Sequence, residues 1–126
     1  GLIDFQDATI GNEAYDISSL LEDVRRNVSN DIKKACLQKF ISLNNIKDKN
    51  KFIKNYYILT AQRNAKIVGI FIRLARKEKK LNYLKLVNRA MTIFLDSLKK
   101  AELNEVQSWI EHNIPKNKLF YRESNE

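Results

Sequence analysis

The stretch from about 50 to 79 carries apolar residues on almost every side of a helical projection: Phe52, Ile53, Tyr56, Tyr57, Leu59, Ile67, Val68, Ile70, Phe71 and Leu74. A helix that is apolar nearly all round cannot lie on a surface, so other elements must surround it. The flanking sequence predicts four more helices. From Glu13 onward Ile17, Leu20, Leu21, Val24 and Val28 form a stripe at helical spacing, and Ser29-Asn30-Asp31 provides stop and restart signals. A second helix aligns Ile32, Cys36, Phe40 and Leu43, and Asn44 to Asn50 is a polar connection in which Asp48 is a candidate N-cap. A fourth places Leu84, Val87, Met91, Phe94 and Leu98 on one face. A fifth buries Leu103, Val106 and Ile110, and Pro115 prevents its continuation. The polar tail 115–126 is expected to fray.

The fold class is therefore mainly α, with one short strand predicted at the start, where Leu2, Ile3 and Phe5 alternate with Asp4. A chain of 126 residues with 44% hydrophobic content supports one domain with a real core. The single cysteine rules out an internal disulfide and points to a reducing, cytoplasmic setting; its helical spacing predicts a small buried side chain. No apolar run approaches the roughly 18 residues of a membrane span. The only methionine is Met91, and a lone opening strand leaves its backbone groups unsatisfied, so a fragment lacking an upstream portion is expected.

Charge is distributed unevenly. The formal net charge is +8, yet the first 24 residues contain no Lys or Arg and six of the fifteen acids. The opening segment is thus a place to look for a cation, and Asp4, on the face opposite Ile3 and Phe5, is well placed to hold one. On spacing alone, however, an Asp that closes a strand reads as a turn or capping residue.

Leu2-Ile3-Asp4-Phe5-Gln6-Asp7-Ala8, Gly11 and Tyr15-Asp16-Ile17-Ser18-Ser19-Leu20-Leu21 together resemble the metal-binding segment of the aminoglycoside phosphotransferase and choline kinase superfamily, small-molecule kinases with a protein-kinase-like fold. Gln62-Arg63-Asn64, Lys66, Gly69-Ile70-Phe71 and Arg73-Leu74-Ala75-Arg76 resemble the long C-terminal helix of the bacterial cell-wall amino-sugar kinases, which phosphorylate the anomeric position of N-acetylmuramate and N-acetylglucosamine in peptidoglycan recycling. The similarity continues through Tyr83-Leu84, Arg89 and Trp109-Ile110. The chain departs from the pattern at Lys79, where a Gly is expected after the long helix, and at Asn88, where a Pro is expected before Arg89. The first departure bears on a helix end and the second on a helix start.

The resemblance implies that the chain is the C-terminal part of a kinase C-lobe. Residues 1–24 would be the metal segment and first helix, 30–114 a helical substrate subdomain, and 115–126 a tail. Asp4 would hold the magnesium that bridges the ATP phosphates, and Asp7 would either help through a metal-bound water or fix the turn. Asp16 would support the active-site loop from the start of a helix, where the macrodipole favours a carboxylate, and Tyr15 would pack. Gln62, Arg63 and Lys66 lie within about one turn, and three polar groups amid an apolar helix demand partners. Either they recognise the sugar or they form a structural ion pair with the acidic opening segment. The basic run Arg73, Arg76, Lys77, Lys79 and Lys80 is expected to be a solvated helix end, and His112 a capping or solvent residue.

A kinase of this class also needs a nucleotide-binding lobe with a phosphate-contacting Lys, and a catalytic loop with a base Asp and a metal-binding Asn. None can be placed in these residues. The chain alone is expected to be inactive, with the missing kinase portion as its partner and a small sugar as its substrate. The rival readings are a non-catalytic basic helical module for nucleic acid or a partner protein, and a scaffold without catalysis. The dispersal of the basic residues over every helix disfavours nucleic acid.

Overall fold

The computed structural model describes residues 10–121, and among these every regular element is helical. The predicted strand at residues 2–5, with Asp4 and Asp7, lies outside the described residues. The helices are α1 (Ala14–Leu21), α2 (Asn30–Leu43), α3 (Lys49–Lys77), α4 (Leu84–Lys100) and α5 (Asn104–Asn113), with single 3-10 turns at Leu81–Tyr83 and Lys116–Lys118. No helix among the described residues is long and apolar enough to cross a membrane.

α3, with 29 residues and a length of roughly 43 Å, is the axis. Its start is fixed as the sequence predicts, because the Asp48 carboxylate accepts the Lys51 amide at 2.9 Å. Three apolar clusters line it. Near its N-terminus Phe52 and Tyr56 pack with Ala14, Ile17 and Leu21 of α1 and with Leu37 and Ile41 of α2. Further along, Ile67 and Phe71 meet Val24, Val87 and Ala90, whereas Ala61 meets Leu98 and Ile110. The order of these pairs, 71 with 87 and 61 with 98, makes α4 run back antiparallel along α3, with α5 capping its far end.

Several sequence expectations change. α2 buries Leu37 and Ile41, while Ile32, Leu43 and Cys36 are exposed, so of the predicted face only Phe40, which packs against the first cluster, turns inward. Leu20 also points outward. The tail does not fray at once: Leu119 packs in the third cluster, and the Asn88 side chain both accepts the Tyr121 amide at 2.7 Å and donates to the Tyr121 carbonyl at 2.9 Å. Asn88 lies a full turn inside α4 and not at its start, so a Pro there would remove both contacts and a helical hydrogen bond.

Lys79 follows α3 with φ of 54°, the left-handed conformation that glycine adopts without strain. The Lys80 amide reaches back to the Leu74 carbonyl at 3.3 Å and the Glu78 amide to the same oxygen at 3.1 Å, which closes the helix end. The position where a Gly is expected is therefore one that requires positive φ, and a lysine occupies it. α2 and α4 end in the same way, with positive φ at Asn45 and Glu102 followed by Ile46 and Leu103, which pack into the core.

Candidate functional site

Glu22 and Asp23 sit where the chain leaves α1 and turns toward α2, and their carboxylates have different partners. Glu22 is buried. It accepts a 2.9 Å hydrogen bond from the Tyr56 hydroxyl and a 2.6 Å bond from the Lys33 ammonium, which ties α1 to α3 and α2 at once. Burial, reinforced by the charge of Glu22, pushes the Tyr56 phenol far above its usual range, so it stays a neutral donor.

Asp23 instead engages arginines. Its carboxylate takes a two-pronged contact from Arg25, Nε at 3.0 Å and Nη2 at 2.9 Å, and also accepts the Arg25 amide. The Arg25 side-chain bond, and more weakly the nearby Arg63 charge, hold the Asp23 carboxyl down at about 2 against its partial burial. A third contact pins the same turn, because the Arg89 guanidinium of α4 donates to the Arg26 carbonyl.

Arg63 is half-buried, and its Nε is buried with no hydrogen-bond partner. It makes no ion pair among the described residues, although its charge is felt at Asp23. Gln62 and Lys66 are exposed, so the expectation that all three need buried partners fails for those two: they share the outer ridge of α3, one turn apart. The polar groups that α3 does bury are Thr60 and Asn64. Thr60 Oγ1 donates to the Tyr56 carbonyl at 2.8 Å and Asn64 Nδ2 to the Thr60 carbonyl at 2.9 Å, leaving Asn64 Oδ1 without a partner. The i, i+4, i+8 spacing of Tyr56, Thr60 and Asn64 in an apolar helix is the sequence signal of this ladder, whereas Glu22, Lys33, Asp23 and Arg25 carry no such periodic signal.

Tyr15 and Asp16 are exposed in the first turn of α1. The Asp16 carboxylate makes no hydrogen bond or ion pair to the described residues; only its backbone carbonyl is used, by Ser19 Oγ at 2.9 Å. Tyr15 as a whole residue is 40% exposed among the described residues. His112 is exposed in the last turn of α5, where its Nδ1 donates back to the Ser108 carbonyl at 2.7 Å.

Among the described residues no three His, Cys, Asp or Glu side chains converge on a metal site. Asp4 and Asp7 would offer hard carboxylate oxygens, the donor type that magnesium takes, but they lie outside the described residues.

No family model matches the chain. Over 116 residues, 91% of its length, it is 34% identical to the N-acetylmuramate/N-acetylglucosamine kinase of Caulobacter vibrioides. The chain is thus similar to one part of that kinase. It spans about a third of that relative's length, 32%. The match takes in nearly all of the helical scaffold described above, including the junction of Glu22 and Asp23 with α3.

Proposed function

We propose that the chain is the C-terminal portion of an ATP-dependent small-molecule phosphotransferase, a sugar or amino-sugar kinase of peptidoglycan recycling with a protein-kinase-like fold, acting in the cytoplasm. The observation that carries this reading is the 34% identity to the Caulobacter kinase across 91% of the chain. In this reading Asp4 holds magnesium, which would neutralise and orient the nucleotide phosphates, and Asp7 either helps through a metal-bound water or fixes the turn. The helices supply the substrate side. Arg63 faces the turn after α1 with an unspent buried Nε, and Gln62 and Lys66 flank it on the open ridge. Asp16 offers an unengaged carboxylate at a helix start, suited to support a loop contributed by the rest of the kinase.

The reading is tested by a chimera in which this chain replaces the third of the Caulobacter kinase that it matches. With ATP, magnesium and N-acetylmuramate or N-acetylglucosamine, the chimera should release ADP in a sugar-dependent manner, and Asp4→Asn should reduce this to background without changing the melting temperature. The 126-residue chain alone should show no turnover. A chimera with native helicity and a cooperative melt but no sugar-dependent ADP, or full activity in Asp4→Asn, would overturn the assignment.

A further inference from the structure

A cavity of about 420 Å³ opens between α2, α3 and α4, on the Glu22 side of the junction and lined by neither Asp23 nor Arg63. Its volume is in the range of small-molecule sites. Three lysines line it, Lys33 and Lys34 from the first turns of α2 and Lys100 from the end of α4, together with two acidic residues, Glu22 and Asp96.

The bonding capacity of these groups is lopsided. Glu22 is closed: one oxygen takes the Tyr56 hydroxyl, the other takes Lys33, and the residue is buried. Asp96 holds Lys100 at 2.7 Å. An ammonium has three donors, so Lys33 and Lys100 each keep two, and Lys34 has no ion-pair partner among the described residues. Free donors therefore outnumber free charged acceptors: the three lysines keep seven ammonium hydrogens between them, against the one carboxylate oxygen of Asp96 that Lys100 leaves open, with the neutral Asn30, Thr92 and Ser97 completing the polar lining. Tyr57 forms part of the wall, with Lys100 Nζ 5.2 Å from its ring centre. Burial raises the Tyr57 phenol above its usual range despite the opposing Lys100 charge, so its hydroxyl is a neutral donor as well.

We infer that this cavity binds a small phosphorylated molecule, its phosphate held by the ammonium groups of Lys33, Lys34 and Lys100 and its body lying against Tyr57. A phosphate has three strongly accepting oxygens and matches so many free donors better than the two oxygens of a carboxylate. The site stands whether or not the chain supports phosphoryl transfer.

Titrating the isotope-labelled 126-residue chain with glucose 1-phosphate, inorganic phosphate, gluconate and glucose, followed by amide chemical shifts, tests it. Glucose 1-phosphate should shift the amides around Lys33, Lys34, Tyr57 and Lys100, and bind at least about tenfold more tightly than glucose, the worth of one charge-assisted hydrogen bond. Inorganic phosphate should shift the same amides at weaker affinity. Lys34→Ala and Lys100→Gln should each weaken glucose 1-phosphate by about tenfold while the melting temperature holds. Shifts concentrated instead at the basic end of α3, from Arg73 to Lys80, would show general attraction to a cationic chain and overturn the site. So would wild-type affinity in both lysine variants, or equal binding of glucose. Gluconate binding more tightly than glucose 1-phosphate would overturn the phosphate assignment.

Discussion

Glu22 and Tyr56, 34 positions apart, share a 2.9 Å hydrogen bond in the interior, and the second carboxylate oxygen of Glu22 is taken by Lys33 of α2. One side chain thus joins three helices. Tyr56→Phe leaves one oxygen of a buried carboxylate without its donor, at a cost of about 1–3 kcal/mol. Glu22→Ala removes the shared acceptor and leaves the Tyr56 hydroxyl unpaired in the core. It should be the more damaging change, whereas Lys33, whose side chain is 24% exposed, recovers water. Urea unfolding with an unchanged denaturant slope measures both; a Glu22→Ala midpoint equal to wild type would show that the junction contributes nothing to stability.

The same junction explains which part of α2 was legible from sequence and which was not. Its N-cap signal was readable, and Ser29 accepts the Ile32 amide at 3.4 Å. Its buried face was not. Ile32, Cys36 and Leu43 form a good apolar stripe, but Lys33 lies at the centre of the face that turns inward, between Phe40 and Leu37, because it reaches the buried Glu22. A periodicity argument counts a lysine against burial and so selects the wrong side. On α3 and α4 no such bond competes with the apolar stripe, and Val87, Leu98, Ile67 and Phe71 lie inside as their spacing implies. Arg63 is singled out by the resemblance and not by periodicity. Asp23 and Arg25, two residues apart in a turn, have no periodic signature to announce their contact.

Lys79 makes a prediction of opposite sign. A non-glycine residue at φ of 54° is strained, so Lys79→Gly should stabilise the chain by about 0.5–1 kcal/mol and raise the melting temperature by a few degrees. Asn45→Gly, at φ of 51°, should be nearly neutral, since Asn tolerates this conformation. A fall in melting temperature for Lys79→Gly would mean that the lysine side chain holds the helix end by some other contact.

Asn88 secures the last described residues. Asn88→Ala removes both bonds to Tyr121, and the Tyr121 amide should then exchange with solvent at the rate of an unprotected amide, at a cost to global stability within about 1 kcal/mol. Asn88→Pro should cost about 3 kcal/mol or more, because it also breaks α4 from within. Unchanged protection of Tyr121 in Asn88→Ala would remove Asn88 from this role.

Asp23 sets a pH dependence. Its carboxyl is lowered from the ordinary 3.8 to about 2, first by the Arg25 hydrogen bond, so the stability that it contributes is fully present above pH 4 and is lost as the pH falls from there to about 2. Arg25 is largely exposed, which limits the contribution to about 1 kcal/mol. Asp23→Asn should therefore be less stable than the parent at pH 7, with the difference shrinking below pH 4 and nearly gone at pH 2 and lower. A constant difference across that range would show that the side chain acts by shape and not by charge.

Arg63 lets the substrate role be separated from a structural one. It has no ion pair among the described residues and its Nε is unpaired, so Arg63→Met in the 126-residue chain should leave stability within about 1 kcal/mol of the parent, far from the 3–5 kcal/mol lost when a closed buried pair is broken. The Asp23 carboxyl should titrate at a slightly higher pH, because one of the charges that lower it has gone, and carboxyl-carbon shifts in an NMR titration read this directly. In the Caulobacter chimera Arg63→Lys should then depress sugar-dependent turnover with the melting temperature unchanged, since lysine keeps the charge but not the planar fork. Wild-type kinetics for Arg63→Lys, combined with a large stability loss for Arg63→Met, would make Arg63 a structural residue, and Gln62 and Lys66 would leave the substrate site with it.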